Sequence, residues 1–245
     1  MRHIGAGLGL LALLGAARVA PVAAQVCAGL PPLRERPFRV TASAASYTYA
    51  TALGVSLTAG RAIYGTLGFG RTRDSELDAS TYPLSLEIGA DIPVGAHGVF
   101  LCPLISGAVS FGPDDFELMQ ESFRYEDWAV GLGLAAVVMR ARRISVLVAG
   151  SVRAALLTGT YWPTGYKAAD GDPGWSQTGN YWLASLSVGI ELNQTVTLRP
   201  GVTVPFRVTY PADAWFASPF GRKPDEISLG VAVSIGLGRR SRAVK

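Results

Sequence analysis

Seven charged residues carry the most specific chemical signal in the sequence. Each lies in a stretch where bulky aliphatic residues take every second position, and each takes an alternate position otherwise filled by Gly, Ala, Ser or Thr. Because an unpaired buried charge is costly, these side chains must pair with one another or contact water. Their near balance favours an interior salt-bridge network, and the lining of a narrow ion-selective pore is the alternative. They are Arg39, Glu87, Asp91, Arg153, Glu191, Arg199 and Arg207.

Other residues capable of chemistry do not form a catalytic set. His97 is the only histidine beyond His3, and it lies in Val94-Gly-Ala-His-Gly98, a stretch typical of a short turn. Acidic residues cluster within residues 112–127, without a neighbouring base or ligand set. This pattern favours a solvated loop, and a divalent-cation site is the alternative. The sequence therefore predicts no catalytic residue, no metal site and no cofactor.

The composition indicates which elements must position these charges. Of the 245 residues, 49% are hydrophobic and only 16% are charged, whereas about a quarter is charged in ordinary soluble domains. Beyond residue 25 no apolar run reaches the length of about 18 residues that a transmembrane helix needs. The formal charge is +4, but the basic residues concentrate at 140–143 and 239–245 without a nucleic-acid-binding motif. These features favour a membrane β-barrel over a very buried soluble β protein, and no nucleic-acid partner is expected.

The N-terminal residues resemble a secretory signal. A short basic start is followed by an apolar stretch, and Val22-Ala23-Ala24 provides the small-residue pattern before a cleavage site. We therefore expect a signal peptide at 1–24, a periplasmic segment at 25–36, a barrel at 37–238 and a basic periplasmic tail at 239–245. Export also permits a disulfide between Cys27 and Cys102, the chain's two cysteines, and two separate small buried residues are the alternative.

Period-two alternation predicts about ten strands. Their connections alternate between short and long, which matches the short periplasmic turns and longer external loops of outer-membrane barrels. An eight-stranded barrel, with residues 26–60 partly periplasmic, is the structural alternative. The expected strands are 37–47, 51–59, 62–73, 81–93, 99–111, 125–139, 144–158, 180–192, 195–209 and 226–238.

The two faces of each expected strand differ sharply. In 227–238, aliphatic residues alternate with Ser, Gly and Ala without interruption. A lipid-facing exterior suits the aliphatic residues, and the interior of a narrow barrel suits the small ones. Pro200 and Pro205 interrupt an otherwise regular strand, so we expect a β-bulge there. The predicted fold class is all-β, a closed antiparallel transmembrane barrel.

The last strand resembles the C-terminal assembly signal of bacterial outer-membrane β-barrel proteins. That signal is a polar residue, any residue, Gly, two of any kind, then hydrophobic, any, hydrophobic, and here Ser228, Gly230, Val233 and Ile235 match it in order. The family usually ends on an aromatic residue, whereas this chain continues to Lys245. The resemblance implies an outer-membrane location, a monomer, and three kinds of partner: outer-membrane lipids, lipopolysaccharide and the barrel-assembly machinery.

The resemblance also bears on activity. Outer-membrane proteases use paired aspartates with an Asp–His couple near the external rim, and lipid A deacylases use a His–Ser pair, but His97 lies on an expected periplasmic turn. We therefore expect a non-enzymatic outer-membrane protein with a structural or surface-interaction role through its external loops. A narrow passive channel for small solutes or apolar molecules is the main alternative. An exported soluble barrel that binds an apolar ligand is the third.

Overall fold

The computed structural model describes residue 30 and residues 37–48, 50–60, 62–74, 80–95, 98–111, 122–162, 175–193, 195–209 and 227–237. This part of the chain consists of strands joined by turns, and none of its segments is a helix able to span a membrane. The strands are β1 (Phe38–Ser46), β2 (Ala50–Gly60), β3 (Ile63–Asp74), β4 (Ser80–Ala90), β5 (Ile92–Val94), β6 (Val99–Phe111), β7 (Ser122–Arg140), β8 (Ile144–Trp162), β9 (Trp175–Leu192), β10 (Val196–Thr209) and β11 (Ser228–Leu237).

The strands form one closed antiparallel barrel. Apart from β4 and β5, consecutive strands pair with each other, and β1 pairs with β11 over its whole length, from Phe38 opposite Leu237 to Ser46 opposite Leu229. β4 and β5 both pair with β6, so β5 continues β4 along the same edge of β6. The prediction of ten barrel strands is confirmed, with the fourth divided in two. The eight-stranded alternative is wrong because β1 and β2 are paired on both sides.

The division of the fourth strand falls at Asp91. Its backbone N–H donates to the carbonyl oxygen of Ala62, at 2.8 Å, on the β3 side, and the register with β6 is the same before and after it. The Asp91 side chain is buried. Alternation in the sequence did not reveal this break, because Ile92 and Val94 continue the outward-facing pattern beyond it.

The barrel has two distinct ends. At one end β2, β5, β7 and β9 end and β3, β6, β8 and β10 begin, and Phe38 and Leu237 lie there too; we call it the short-turn end. At the opposite end, which we call the long-connection end, β3, β6, β8 and β10 end and β4, β7, β9 and β11 begin. Strands β7, β8 and β9 contain 19, 19 and 18 residues, so this side extends furthest toward the long connections.

The faces of the barrel follow the expected alternation. On β11, Ala232 and Ser234 are buried, whereas Val231, Val233 and Ile235 between and beside them are exposed. The same pattern leaves Leu53, on β2, 63% exposed on the outer surface. A continuous belt of exposed aliphatic side chains therefore surrounds the barrel, and small and polar residues face inward.

The interior also holds two apolar clusters along β6–β9. Phe100, Cys102, Ala135, Leu147 and Ala149 form one cluster toward the short-turn end. Ala129, Ala155, Leu157 and Tyr181 form the other, toward the long-connection end. The interior side of β6–β9 thus combines apolar packing with polar side chains, among them Asp127, Arg153 and Glu191.

Candidate functional site

Three charged side chains come together in the middle of the lumen. Arg153 on β8 places its Nη1 3.1 Å from Oε2 of Glu87 on β4. The hydroxyl of Tyr64 on β3 donates to Oε1 of the same carboxylate at 3.3 Å. Arg199 on β10 lies within electrostatic range of Glu87, Arg153 and Tyr64. Strands from opposite walls are therefore joined through one carboxylate, and we call these four residues the mid-lumen cluster.

A second polar group closes the lumen toward the short-turn end. Arg39 is only 1% exposed and interacts electrostatically with Glu191, which is 5% exposed. The hydroxyls of Thr41 and Ser234 bond to each other at 2.8 Å across the seam between β1 and β11. Thr197 is also fully buried in this layer, opposite Glu191 in the register. This short-turn layer is packed, whereas the mid-lumen cluster borders open space.

The two groups are electrostatically continuous. Arg39 interacts electrostatically with both Glu191 and Arg199, and Tyr64 interacts electrostatically with Glu87 and Asp91. Six of the seven charged residues selected from the sequence thus face the interior and interact within one network. They are Arg39, Glu87, Asp91, Arg153, Glu191 and Arg199.

Arg207 is placed differently from the other six. The β9–β10 register shifts between Pro205 and Arg207, so Arg207 pairs with Trp182 and Val208 pairs with Tyr181. Trp182 is on the outer face and Tyr181 is buried inside, so Arg207 faces outward. The bulge expected from the prolines is present at Pro205, whereas the β10–β11 register runs through Pro200 unbroken. Strict alternation, which assigned Arg207 to the lumen, ends at this bulge.

A cavity of about 570 Å³ lies above the mid-lumen cluster. Glu87, Arg153 and Arg199 line it together with Asp127, so its charged lining consists of two acids and two arginines. Most of the remaining inward-facing lining consists of hydroxyl groups and small residues. The serine and threonine residues of this lining are Thr41, Ser43, Ser56, Thr58, Thr66, Thr72, Ser85, Ser106, Ser151, Ser185, Ser187, Thr203 and Ser228. Such a lining can hydrogen-bond water and small polar solutes along its length.

Three residues of this site escaped the sequence argument. Tyr181 is buried inside and donates a hydrogen bond to Asp127 Oδ2. Asp127 was assigned to the acidic connection, but it shares the inward face with Ala129 on β7. Tyr64 lies on the inward-facing positions of its expected strand and could have been found by the same alternation that selected the charges.

The structure describes only part of the acidic segment 112–127. Residues 112–121 lie outside the described residues. Glu126 accepts a salt bridge from Arg124 at 2.5 Å on the outer face of β7, whereas Asp127 next to it faces inward. Within the described part of the chain, no cluster of three or more His, Cys, Asp or Glu side chains could hold a metal ion.

The assembly-signal positions occupy both faces of β11. Ser228 and Gly230 border the lumen, and Val233 and Ile235 are exposed on the outer face. Cys102 is fully buried in the apolar cluster toward the short-turn end. Cys27 lies outside the described residues, as do the expected signal peptide and the basic tail, so the pairing of the two cysteines stays a prediction.

The lumen also contains a residue that precedes the barrel. Leu30 is 2% exposed and borders the 570 Å³ cavity. It lies eight residues before Phe38, where β1 begins at the short-turn end. At this one position, the chain before β1 occupies space inside the barrel.

These features define a class of protein. A closed antiparallel barrel has no free sheet edge, and its apolar exterior and polar interior are the arrangement of a transmembrane β-barrel. The fold and the two faces together therefore place the chain in this class.

The chain is similar to several solved structures. Over 71% of its length, the chain aligns with CdiB from Acinetobacter baumannii, with 9% identity and a TM-score of 0.37, and it covers 32% of that protein. It aligns over 83% with Omp33, an Acinetobacter baumannii outer membrane protein, and covers 99% of it, with 9% identity and a TM-score of 0.31. The NanC porin aligns over 82% of this chain and 100% of its own length, with 10% identity and a TM-score of 0.33. No family model and no curated protein matches the sequence.

Proposed function

We propose that this protein is a non-enzymatic barrel of the bacterial outer membrane whose lumen passes small polar solutes at a low rate. The observation that carries the proposal is the cavity of about 570 Å³, with its hydroxyl lining and balanced charges. A lumen that served only to fill the barrel would be packed with side chains throughout, as it is within the two apolar clusters. In the proposed orientation, the short-turn end faces the periplasm and the long-connection end faces outward.

The rate of passage follows from the two polar groups that a solute would meet. The mid-lumen cluster narrows the cavity, and the packed short-turn layer lies beyond it. A solute must displace or slip past charged side chains, so we expect a conductance well below that of a wide porin. The balance of two acids and two arginines in the cavity lining predicts little preference between small anions and cations.

The test is single-channel recording of the folded protein in a planar bilayer. The native barrel should give small, steady conductance steps, and Arg153→Ala should change both their size and their ion selectivity. Arg124→Ala is the matched control, because Arg124 lies on the outer face and is paired with Glu126. Absence of conductance in a barrel that has folded, judged by its gel mobility without boiling, would overturn the channel proposal.

A structural role is the second candidate, favoured by the burial of Arg39 and Glu191. Buried charges joined across opposite walls resist deformation of a barrel, because breaking one partner leaves the other without compensation. Suppose that Arg153→Ala lowers the stability of the barrel to urea, and that the native and variant barrels both fail to conduct. The charge network then serves to stabilise the barrel and does not line a channel.

A further inference from the structure

A groove of about 610 Å³ crosses the outer surface of β7–β10, outside the lumen. The register places Val130, Ala154, Trp182 and Arg207 in one row across these four strands. One step nearer the long-connection end, Trp128, Leu156, Asn180 and Thr209 form the adjacent row. All eight residues line the groove, together with Ile105, Ala129 and Ala155.

Two small residues shape this groove. Ala154 lies between Val130 and Trp182 and forms the floor of the groove. Because its side chain is short, the groove is deeper at this position. Gly107 on β6 pairs with Trp128, and a Cβ at Gly107 would lie 2.8 Å from a ring carbon of that indole. The absent side chain therefore lets Trp128 lean across the neighbouring strand and form one wall. The groove is built by residue size at defined positions.

The bulge at Pro205 supplies the charge. Because the register shifts there, Phe206 and Arg207 are both exposed on the outer face, although they are adjacent in sequence. The ring of Phe206 packs against Trp182 with centroids 6.1 Å apart and planes inclined at 54°. Trp182 and Phe206 thus flank Arg207, and the other residues of its row, Val130, Ala154 and Trp182, are apolar. A cation near the membrane boundary can pair with an anionic lipid group at the same depth.

Strand length indicates that depth. A tilted transmembrane strand needs about 9–11 residues to cross the hydrocarbon core. β8 begins at Ile144, so Ala154 is its eleventh residue, and the strand continues to Trp162. The groove therefore lies at the boundary between hydrocarbon and headgroups on the long-connection side. Trp128, Trp182 and Arg207 are at the depth of lipid headgroups.

We propose that this groove binds the phosphorylated sugar headgroup of a glycolipid in the external leaflet. Arg207 would pair with a sugar phosphate, since a guanidinium can donate two parallel hydrogen bonds to phosphate oxygens. The amide of Asn180 and the hydroxyl of Thr209 would bond to sugar hydroxyls, and the exposed indoles would cover the sugar's apolar face. An acyl chain would lie over the floor at Ala154. A glycerophospholipid offers the phosphate but not the sugar ring that these side chains fit.

The test uses native mass spectrometry of the detergent-folded barrel with three added lipids. They are bisphosphorylated lipid A, the same glycolipid without phosphates, and phosphatidylglycerol. We expect wild-type barrel to retain bisphosphorylated lipid A in preference to both others. Arg207→Ala should lower its retention by about tenfold or more, because a charge-assisted bidentate contact is lost. Ala154→Trp should lower it comparably by filling the floor without changing charge.

Arg124→Ala is the control, because it removes an arginine from the same outer face at a position where Glu126 already neutralises it. It should leave lipid retention unchanged. Equal retention by wild type and Arg207→Ala, or retention of phosphatidylglycerol as strong as that of lipid A, would overturn the proposal. Lumen conductance is recorded separately, so failure of the channel proposal leaves this test intact.

Discussion

Arg153 on β8 and Glu87 on β4 form a salt bridge of 3.1 Å across the lumen, although the two residues are 66 positions apart in sequence. In the barrel β6 and β7 separate the two strands, so the bridge links non-neighbouring strands across the lumen. Tyr64 and Arg199 complete the surroundings of the same carboxylate. Glu87 therefore contacts Arg153 and Tyr64 and is the acidic residue of the mid-lumen cluster.

Neutralising Glu87 should change the ion selectivity of the barrel. Glu87→Gln keeps the size of the side chain but leaves Asp127 as the only acid opposite Arg153 and Arg199 in the cavity lining. The excess positive charge should favour anions, so the anion-to-cation permeability ratio should rise severalfold in reversal-potential measurements. Arg153→Gln should shift the ratio in the opposite direction. Identical reversal potentials for both variants would mean that ions do not pass these residues.

The bond between Tyr181 and Asp127 should contribute to stability. Tyr181→Phe removes a hydroxyl that donates to the Asp127 carboxylate inside the barrel, which leaves an acceptor with one partner fewer. We expect a loss of about 2 kcal/mol in the free energy of unfolding. Urea titration in lipid vesicles, followed by tryptophan fluorescence, measures it. Tyr82→Phe is the control, because Tyr82 is exposed on the outer face and should lose much less.

Alternation predicted the strands well because it reports directly on the two environments of a barrel. In β11 no residue breaks the pattern, and the predicted span of 226–238 differs from Ser228–Leu237 by at most two residues at either end. In the fourth strand the same alternation continues past Asp91, so it could not show that the strand is divided there into β4 and β5.

The arrangement of the site was less accessible to sequence reasoning. Alternation gives the face of a residue but not its height, which depends on the stagger of ten strands around the barrel. For this reason the contact of Tyr181 with Asp127, 54 positions away, could not be inferred from the sequence. Arg207 shows a second limit. Pro205 indicated a bulge, but only the register shows that the shift comes before Arg207 and turns it outward.

Close packing at Gly89 should be needed for the position of Tyr64. A Cβ at Gly89 would lie 2.5 and 2.8 Å from two ring carbons of Tyr64, which is 1% exposed. Gly89→Ala should therefore displace the Tyr64 ring from Glu87 and cost about 1–3 kcal/mol in unfolding free energy. The measurement is again urea titration in vesicles.

Gly65→Ala provides the comparison, since a Cβ at Gly65 meets no atom within 4 Å. Combining Gly89→Ala with Tyr64→Ala should cost less than the sum of the single losses, because the second change removes the ring that the first one strikes. Strictly additive losses would show that the strain lies elsewhere.

The residues before β1 should restrict the lumen. Leu30 occupies part of the cavity boundary, so deletion of residues 25–35 from the exported chain should increase single-channel conductance. Leu30→Ala should increase it by a smaller amount, because only one side chain is shortened. Leu53→Ala, on the lipid-facing side of β2, is a matched control and should leave conductance unchanged.

The cysteines allow the same restriction to be controlled chemically. If Cys27 is bridged to the buried Cys102, the bond fixes a position three residues from Leu30 and holds it in the lumen. Reduction should then raise conductance toward the value of the deletion variant, and Cys102→Ser should behave like the reduced protein without responding to reductant. Mass spectrometry before and after alkylation establishes whether the two thiols are joined. A bridged protein whose conductance is the same before and after reduction would contradict the tethering of Leu30 and leave the bond a purely structural one.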